Sequence, residues 1–173
     1  MKEILDHSQL SRLCRWYEDA LKLIPEAKTR ALRAAADAVK QELDRQISSR
    51  LDDSHGKVRT WQQVQMGSKG GYSRVGPGKQ EVANQYGKKY GYTAAQVTSY
   101  LERGHAVPSP TGKSQRYRPN LEKAILGSAG NAVVPGRQFY SYTRLKASDL
   151  GIAAMEDELD RLTDEFVDLL AEV

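Results

Sequence analysis

The stretch SDLGIAAMEDELDRLTDEFVDLLAEV, residues 148–173, carries the clearest structural pattern in the sequence. Its apolar positions recur at alternating steps of three and four, which is the spacing of one face of an α-helix. Ser148 precedes the pattern as a candidate N-cap, and eight acidic residues between Glu156 and Glu172 lie among and opposite the apolar positions. We therefore predict an amphipathic C-terminal helix, whose apolar stripe is Ile152, Met155, Leu159, Leu162, Phe166, Leu169 and Val173.

Two further helices are predicted at the other end of the chain. Pro25 is expected to end or kink the first of them, and it also suits the first position of the second. The second helix runs for roughly 25 residues to Leu51 and is rich in alanine, which favours helix formation. The apolar stripe of the first helix consists of Leu10, Leu13, Tyr17, Leu21 and Ile24.

Between the helices the pattern changes to that of strands and loops. Residues 58–66 alternate as in a strand, and residues 72–75 form a candidate partner strand after the turn GSKGG. The pattern of residues 93–103 fits either a helix or a strand. For residues 105–120 we predict a long loop that is functional or disordered. For residues 137–142 we predict a strand.

The order of these elements predicts an α+β domain. In this fold, N-terminal helices and a C-terminal helix pack on a small antiparallel β-sheet with long basic loops. We assign residues 1–24 to an N-terminal helical extension and residues 25–173 to a single domain.

Charge is distributed unevenly along the 173 residues, although the formal net charge is only +4. Residues 1–53 are neutral, residues 54–146 carry 15 basic and 3 acidic residues, and residues 147–173 carry 1 basic and 9 acidic residues. No apolar run reaches the ~18 residues of a membrane span, so no membrane partner is expected. The charged N-terminus is unlike a signal peptide, and the single Cys14 excludes an internal disulfide framework.

No complete catalytic or metal-binding motif is present in the sequence. The three histidines lie far apart without the paired ligands that a zinc site needs. Gly112-Lys113-Ser114 resembles the end of a P-loop, but the glycine required five residues earlier is Val107. We therefore expect no enzymatic activity, no catalytic residue, no metal and no cofactor.

Tyrosines alternate with basic side chains across residues 57–118. Basic groups neutralise phosphates and tyrosines stack on bases, so this composition fits nucleic-acid binding. The same charges also suit exposed loops, or contact with the acidic C-terminal helix within a subunit or across an interface. The candidate interface or DNA-facing residues are Lys57, Arg59, Lys69, Arg74, Lys79, Lys88, Lys89, Arg116 and Arg118. The acidic partner face of the C-terminal helix comprises Glu156, Asp157, Asp160, Asp164 and Asp168.

Three stretches of the sequence resemble the tail-completion proteins of long-tailed bacteriophages and prophages, also called neck or minor tail-component proteins. The first is the alanine-rich helix with its polar turn and strand, residues 29–51 and 58–66. The second is YLERGH, residues 100–105, and the third is PGRQF, residues 135–139, which leads into the long C-terminal helix. The chain departs from the family in its first helix, in an insertion at about 79–98, and in a degenerate segment at 56–60. The motif positions are Tyr100, Glu102, Gly104, His105, Pro135, Gly136, Arg137 and Phe139.

The resemblance implies a non-enzymatic structural protein that joins the phage tail to the head-side connector. Such a protein would be made in the bacterial cytoplasm and located in the neck of the virion. Its implied partners are further copies of itself in a ring, often sixfold, the connector and tail-tube proteins, and DNA passing through the channel. A small basic DNA- or RNA-binding protein that uses residues 57–118 is the alternative function.

The local roles of four motif residues are also predicted. For Glu102 and Arg137 we predict an ion pair or a backbone hydrogen bond rather than a ligand contact. For Gly104 and Gly136 we predict turns that need a positive φ.

Overall fold

Two long helices lie near the two ends of the sequence. The computed structural model describes residues 7–53, 55–83, 89–106, 125–126 and 132–171. Helix α1 spans His7–Arg50 and helix α4 spans Phe139–Ala171, while the shorter α2 spans Lys57–Trp61 and α3 spans Ala94–Arg103. The strands are β1 Gln62–Met66, β2 Ser73–Pro77, β3 Glu81–Ala83, β4 Lys89–Thr93, β5 Gly104–Ala106, β6 Ile125–Leu126 and β7 Ala132–Pro135.

The strands of the described residues form three small sheets. β1 pairs with β2, β3 pairs antiparallel with β4, and β7 lies between β5 and β6 with antiparallel pairing on both sides. The α+β class is confirmed, but the strands do not form the one sheet that we predicted. Most of the predicted long loop and residues 84–88 of the insertion lie outside the described residues.

Helix α1 continues through Pro25, so of the two effects predicted for that residue, an end or a kink, the end was wrong. Proline removes one backbone N–H and crowds the preceding turn. The helix is nevertheless held against α4 on both sides of the proline, by Trp16 before it and by Arg30 after it. The alanine-rich segment that follows adds propensity.

The predicted strand at residues 58–66 is correct only from Gln62 onward, because Lys57–Trp61 is helix α2. The carboxylate of Asp53 accepts hydrogen bonds from the backbone N–H groups of Val58 and Arg59, both at 3.1 Å. Those two groups lie in the first turn of α2, where no carbonyl within the helix can accept from them. The side chain of Asp53 therefore favours a helical turn over an extended segment.

The predicted C-terminal helix is confirmed, but it begins at Phe139 rather than at Ser148. The strand predicted over residues 137–142 was therefore wrong. Residues 93–103, which fitted either state, form a helix after Thr93.

The chain divides into two compact units, which we describe separately. The helix-pair unit contains α1 up to Val39, residues 64–75, and α4 from Ala147 onward. The junction unit contains residues 40–63 and 76–146.

In the helix-pair unit, α1 and α4 run antiparallel. The indole N–H of Trp16 donates to the carbonyl of Phe166 at 3.3 Å, and a Cβ added at Gly151 would lie 3.8 Å from the Cβ of Ala35. Between these points the guanidinium of Arg30 contacts Glu165 at 2.7 Å and Glu158 at 3.4 Å. Its fully buried apolar residues within the described part are all alanines: Ala20, Ala27, Ala35 and Ala36.

The junction unit has larger buried side chains. Phe139, Ile47 and Leu43 are at most 1% exposed. Four neutral polar residues of the unit, Gln46, Gln62, Thr98 and Thr143, are also buried.

Candidate functional site

The YLERGH motif lies at the end of helix α3 and contacts the start of α4. The N-terminus of α3 has a capping box, in which the backbone N–H of Gln96 donates to the Thr93 hydroxyl at 3.3 Å and that of Thr93 donates to the Gln96 side chain at 2.9 Å. Its C-terminus is Gly104, whose φ of 78° lies in the left-handed region. Both ends of α3 are thereby fixed by local sequence.

The carboxylate of Glu102 caps the first turn of α4. It accepts hydrogen bonds from the backbone N–H groups of Tyr140 at 2.9 Å and Ser141 at 3.1 Å, and from the Ser141 hydroxyl at 2.9 Å. The first N–H groups of a helix have no partner within the helix, and they favour a nearby negative charge. The backbone hydrogen bond predicted for Glu102 is confirmed, and both carboxylate oxygens are engaged.

The backbones of the two motifs also bind each other directly. The N–H groups of Arg137 and Gln138 donate to the carbonyls of Leu101 at 2.8 Å and Glu102 at 3.1 Å. Strands β5 and β7 continue the contact, with Gly104 opposite Pro135 and His105 opposite Val134. The hydrogen bond at Arg137 comes from its main-chain N–H group, while its side chain is exposed.

Gly104 and Gly136 let the two backbones approach closely. A Cβ at Gly104 would lie 2.4 Å from the Val134 carbonyl oxygen, and a Cβ at Gly136 would lie 2.2 Å from the Glu102 carbonyl oxygen. The positive φ predicted for Gly104 is confirmed. For Gly136 the prediction was wrong, since its φ is outside the left-handed region and close contact explains the glycine instead.

A buried polar network supports the junction from β1. Gln62 is 2% exposed, and its amide donates to the Val58 carbonyl at 3.0 Å and to the Thr98 hydroxyl at 3.4 Å. The Tyr140 hydroxyl donates to the other end of the same amide. We did not predict this role. The signal for it in the sequence was the position of Gln62, a polar residue among the apolar positions of the alternating segment 58–66.

The remaining motif residues complete the same junction. The rings of Tyr100 and His105 lie 5.7 Å apart, and Phe139 is fully buried. The Nδ1 atom of His105 is buried and makes no hydrogen bond within the described residues. All eight motif positions therefore lie in one structural joint between α3, β5, β7 and α4.

A second polar cluster of the junction unit surrounds Glu42, which is 8% exposed. Arg45 binds its carboxylate at 2.6 and 2.7 Å, Gln46 donates to it at 2.8 Å, and Lys146 lies 3.7 Å away. The hydrogen bonds from Arg45 are the main cause that lowers the pKa of Glu42 to about 2. The cluster links α1 to α4 within the unit.

The predicted basic residues that the structure describes belong to several different elements. Lys57, Arg74 and Lys79 are exposed, and the Arg59 side chain lies 3.4 Å from Asp53. Lys89 is part of β4 and Lys69 of the short 3₁₀ turn Ser68–Gly70. The other three, Lys88, Arg116 and Arg118, lie outside the described residues.

The predicted acidic face of α4 is exposed along its whole length. Asp157, Asp160, Asp164 and Asp168 recur at helical spacing, with Glu156 beside them, and none of the five forms an ion pair within the described residues. The two acidic residues that are paired, Glu158 and Glu165, face Arg30 instead. The acidic face is therefore available for contact.

Metal binding and membrane insertion find no support in the described part of the chain. No group of three or more His, Cys, Asp or Glu side chains is placed there to hold a metal ion. None of the described helices combines the length and the apolar content required to cross a membrane.

Comparison of the chain with models of protein families, with curated proteins and with solved structures found no match.

Proposed function

We propose that this chain is a non-enzymatic structural protein of the virion neck, which joins the tail of a long-tailed bacteriophage to the head-side connector. The observation that carries the proposal is the joint between residues 100–105 and 135–141. These are the two motifs of the family resemblance, and they bind each other through the Glu102 cap and the close approach of Gly104 to Gly136. Two motifs that bind each other in this way form one structural unit. The signature motifs of a fold family are expected to do the same.

An assembly role is supported by how the charged groups are used. Both oxygens of Glu102 are occupied by the first turn of α4, so this carboxylate is not free to act on a substrate. The acidic face of α4 is exposed and unpaired in the described part of the chain. In a ring of identical copies, this face would contact basic residues of a neighbour, since head-to-tail contacts join unlike surfaces. Connector and tail-tube proteins are the other proposed partners.

Deleting the gene from the genome that encodes it tests this function. After induction of particles, we expect separate heads and tails, and joining should be restored by the natural gene. A Gly91→Ala gene should also restore joining, because no other atom of the described residues lies within 4 Å of the added methyl group. A Gly136→Ala gene should not, because it breaks the joint. Joined virions after deletion, or a complete lack of phage particles after induction, would contradict the proposal.

Nucleic-acid binding is the second candidate function. It is favoured by exposed aromatic side chains, Tyr72, Tyr92 and Tyr100, in the same part of the sequence as the exposed Lys57, Arg74 and Lys79. Binding of short duplexes or single strands, measured between about 50 and 200 mM salt, should then weaken steeply as salt rises. No detectable binding at low salt would remove this candidate.

A further inference from the structure

The helix pair leaves many of its large apolar side chains exposed. Nine of them are between 44% and 62% exposed, whereas the fully buried apolar residues of the described helix-pair unit are alanines. The nine are Leu10, Leu13, Tyr17, Leu21 and Ile24 on α1, and Ile152, Leu159, Val167 and Leu170 on α4. The α1 residues are the stripe predicted from the sequence, whereas only Ile152 and Leu159 of the four α4 residues belong to the predicted α4 stripe.

Both stripes lie on the same side of the helix pair. At 100° per residue, each stripe covers an arc of about 80°. On a helical wheel of α1, in which each residue is rotated by 100° from the one before it, the stripe comes next to Trp16 in the direction of increasing angle. On the wheel of α4, the stripe comes next to Phe166 in the direction of increasing angle as well. Because the two helices are antiparallel and contact each other through Trp16 and Phe166, equal rotations carry both stripes to one side. The result is one continuous apolar face.

This face is large enough to be an interface. It is about 25 Å long, from the helical rise, and about 20 Å wide, from two helix diameters. Monomeric proteins rarely expose apolar patches of more than a few hundred Å². A standard interface uses about 800 Å² from each partner.

We propose that this apolar face binds a second copy of the same face, so that two helix pairs form a four-helix bundle. The occupant is identified by charge. Residues 10–35 of α1 contain six basic and three acidic residues, whereas residues 149–170 of α4 contain one basic and eight acidic residues. A partner for this face must therefore present an acidic apolar helix to α1 and a basic apolar helix to α4, and a second copy presents both.

The charges also select the arrangement of the two copies. If the two-fold axis runs parallel to the helices, α1 of each copy lies on α4 of the other. Basic and acidic helices then alternate around the bundle, and every pair of neighbouring helices attracts. If the axis runs across the helices, α1 lies on α1 and the two acidic helices meet, which is unfavourable.

This arrangement makes a specific prediction for the edge of the interface. Cys14 is exposed and lies beside the α1 stripe, and Val167 lies at the same level on the outer edge of the α4 stripe. Within one chain the two side chains point to opposite edges of the helix pair. In the two-fold bundle, Cys14 of one copy lies next to Val167 of the other.

Cross-linking of the full chain tests the proposal. A tagged natural chain, which has only Cys14, is mixed with an untagged Cys14→Ser/Val167→Cys chain and treated with a short bismaleimide. We expect a tagged–untagged product. The matched control is Cys14→Ser/Asp168→Cys, whose cysteine is at the same level but about 100° further around the helix. It should give about tenfold less product or none.

A second variant tests whether the apolar face is responsible for the self-association that the cross-link detects. Leu21→Ala keeps a strong helix former and should weaken self-association about tenfold, as central contacts of interfaces do. Tyr92→Ala, at a similarly exposed aromatic outside the helix pair, should leave it unchanged.

Three results would overturn the inference. The first is equal cross-linking at positions 167 and 168, and the second is a natural chain that stays monomeric at high concentration. The third is loss of helix content in Leu21→Ala while the natural chain is monomeric, which would mean that another segment of the same chain covers the face. The inference does not depend on the virion role, because gene deletion tests joining of heads to tails without reference to this face.

Discussion

The joint at residues 100–105 and 135–141 and the helix pair of α1 and α4 use their side chains in opposite ways. In the joint, the charged and polar groups of Glu102, Gln62 and Tyr140 bind one another or the backbone, and Phe139 is fully buried. In the helix pair, nine large apolar side chains and a row of carboxylates face outward. The joint is thus held together by contacts within one chain, whereas we propose that the helix pair binds a second copy.

We propose that this difference separates residues that maintain the fold from residues that contact partners. The motif residues, which carry the family resemblance, are structural within the subunit. The exposed stripes, which belong to no motif, carry the inference about assembly. The predictions below test this division, beginning with the largest expected effect.

The close approach in the joint gives the largest expected effect. Gly104→Ala should lower the free energy of unfolding by about 4 kcal/mol, because the added methyl group meets the backbone at Val134 and φ is positive. Gly91→Ala is the matched control, since its φ of 74° is similar to the 78° of Gly104 and no other atom in the described part of the chain lies within 4 Å of the added methyl group. It should lose only about 1–2 kcal/mol. Chemical denaturation measures both, and equal losses would show that the joint is not tightly packed.

The second prediction compares the effect on stability of truncating a buried leucine and an exposed leucine of helix α1. Leu43 is 1% exposed and Leu21 is 62% exposed. Leu43→Ala should cost about 3 kcal/mol of unfolding free energy, because it leaves a cavity. Leu21→Ala should change it by less than about 0.5 kcal/mol. Denaturation at a concentration where the chain is monomeric checks this, and a large loss for Leu21→Ala would mean that its side chain is buried by the same chain.

The cap on α4 should contribute less. Glu102→Ala removes the acceptor for the N–H groups of Tyr140 and Ser141, and should lower the free energy of unfolding by about 1–2 kcal/mol. Glu102→Gln retains one acceptor oxygen and should lose about half as much. Glu156→Gln, an exposed change on the acidic face, is the control and should be neutral. If Glu102→Ala were also neutral, the cap would be unnecessary for the helix to start at Phe139.

The smallest expected effect is the dependence of stability on acidic pH. The pKa of Glu42 is lowered from 4.5 to about 2 in the folded chain, so its ionised form stabilises the fold above pH 4.5. That stabilisation is lost as the pH falls from 4.5 toward 2. Glu42→Gln should reduce the free energy of unfolding by about 1 kcal/mol at neutral pH, and the difference from the natural chain should vanish near pH 2. A difference that is constant with pH would mean that the carboxylate charge is not responsible.

The sequence predicts local features of this fold well and its long-range contacts poorly. Apolar periodicity correctly indicated the helices at both ends, and Gly104 correctly indicated a left-handed residue. The start of α4 at Phe139 was missed because its cap, Glu102, is distant in the sequence. Whether α1 ends or continues at Pro25 is not decided by the local sequence, because it depends on contacts with α4 on both sides of the proline.

The candidate surfaces show the same limit. Periodicity identifies an apolar stripe, but it does not state whether another element covers it. Leu21 and Leu43 belong to equally regular patterns in the sequence, and only the three-dimensional contacts make one exposed and the other buried. The same applies to Glu158 and Asp160, since Arg30 pairs with the first and leaves the second exposed.

The sedimentation mass of the full chain in about 1 M salt tests the central claim most directly, because surface ion pairs are strongly screened at that ionic strength while apolar contacts persist. The natural chain should sediment as two copies, and the Leu21→Ala/Leu159→Ala chain should sediment as one copy with unchanged helix content. A natural chain that sediments as a single copy, or a double variant that still pairs, would contradict the proposal that the helix pair is an interface between copies.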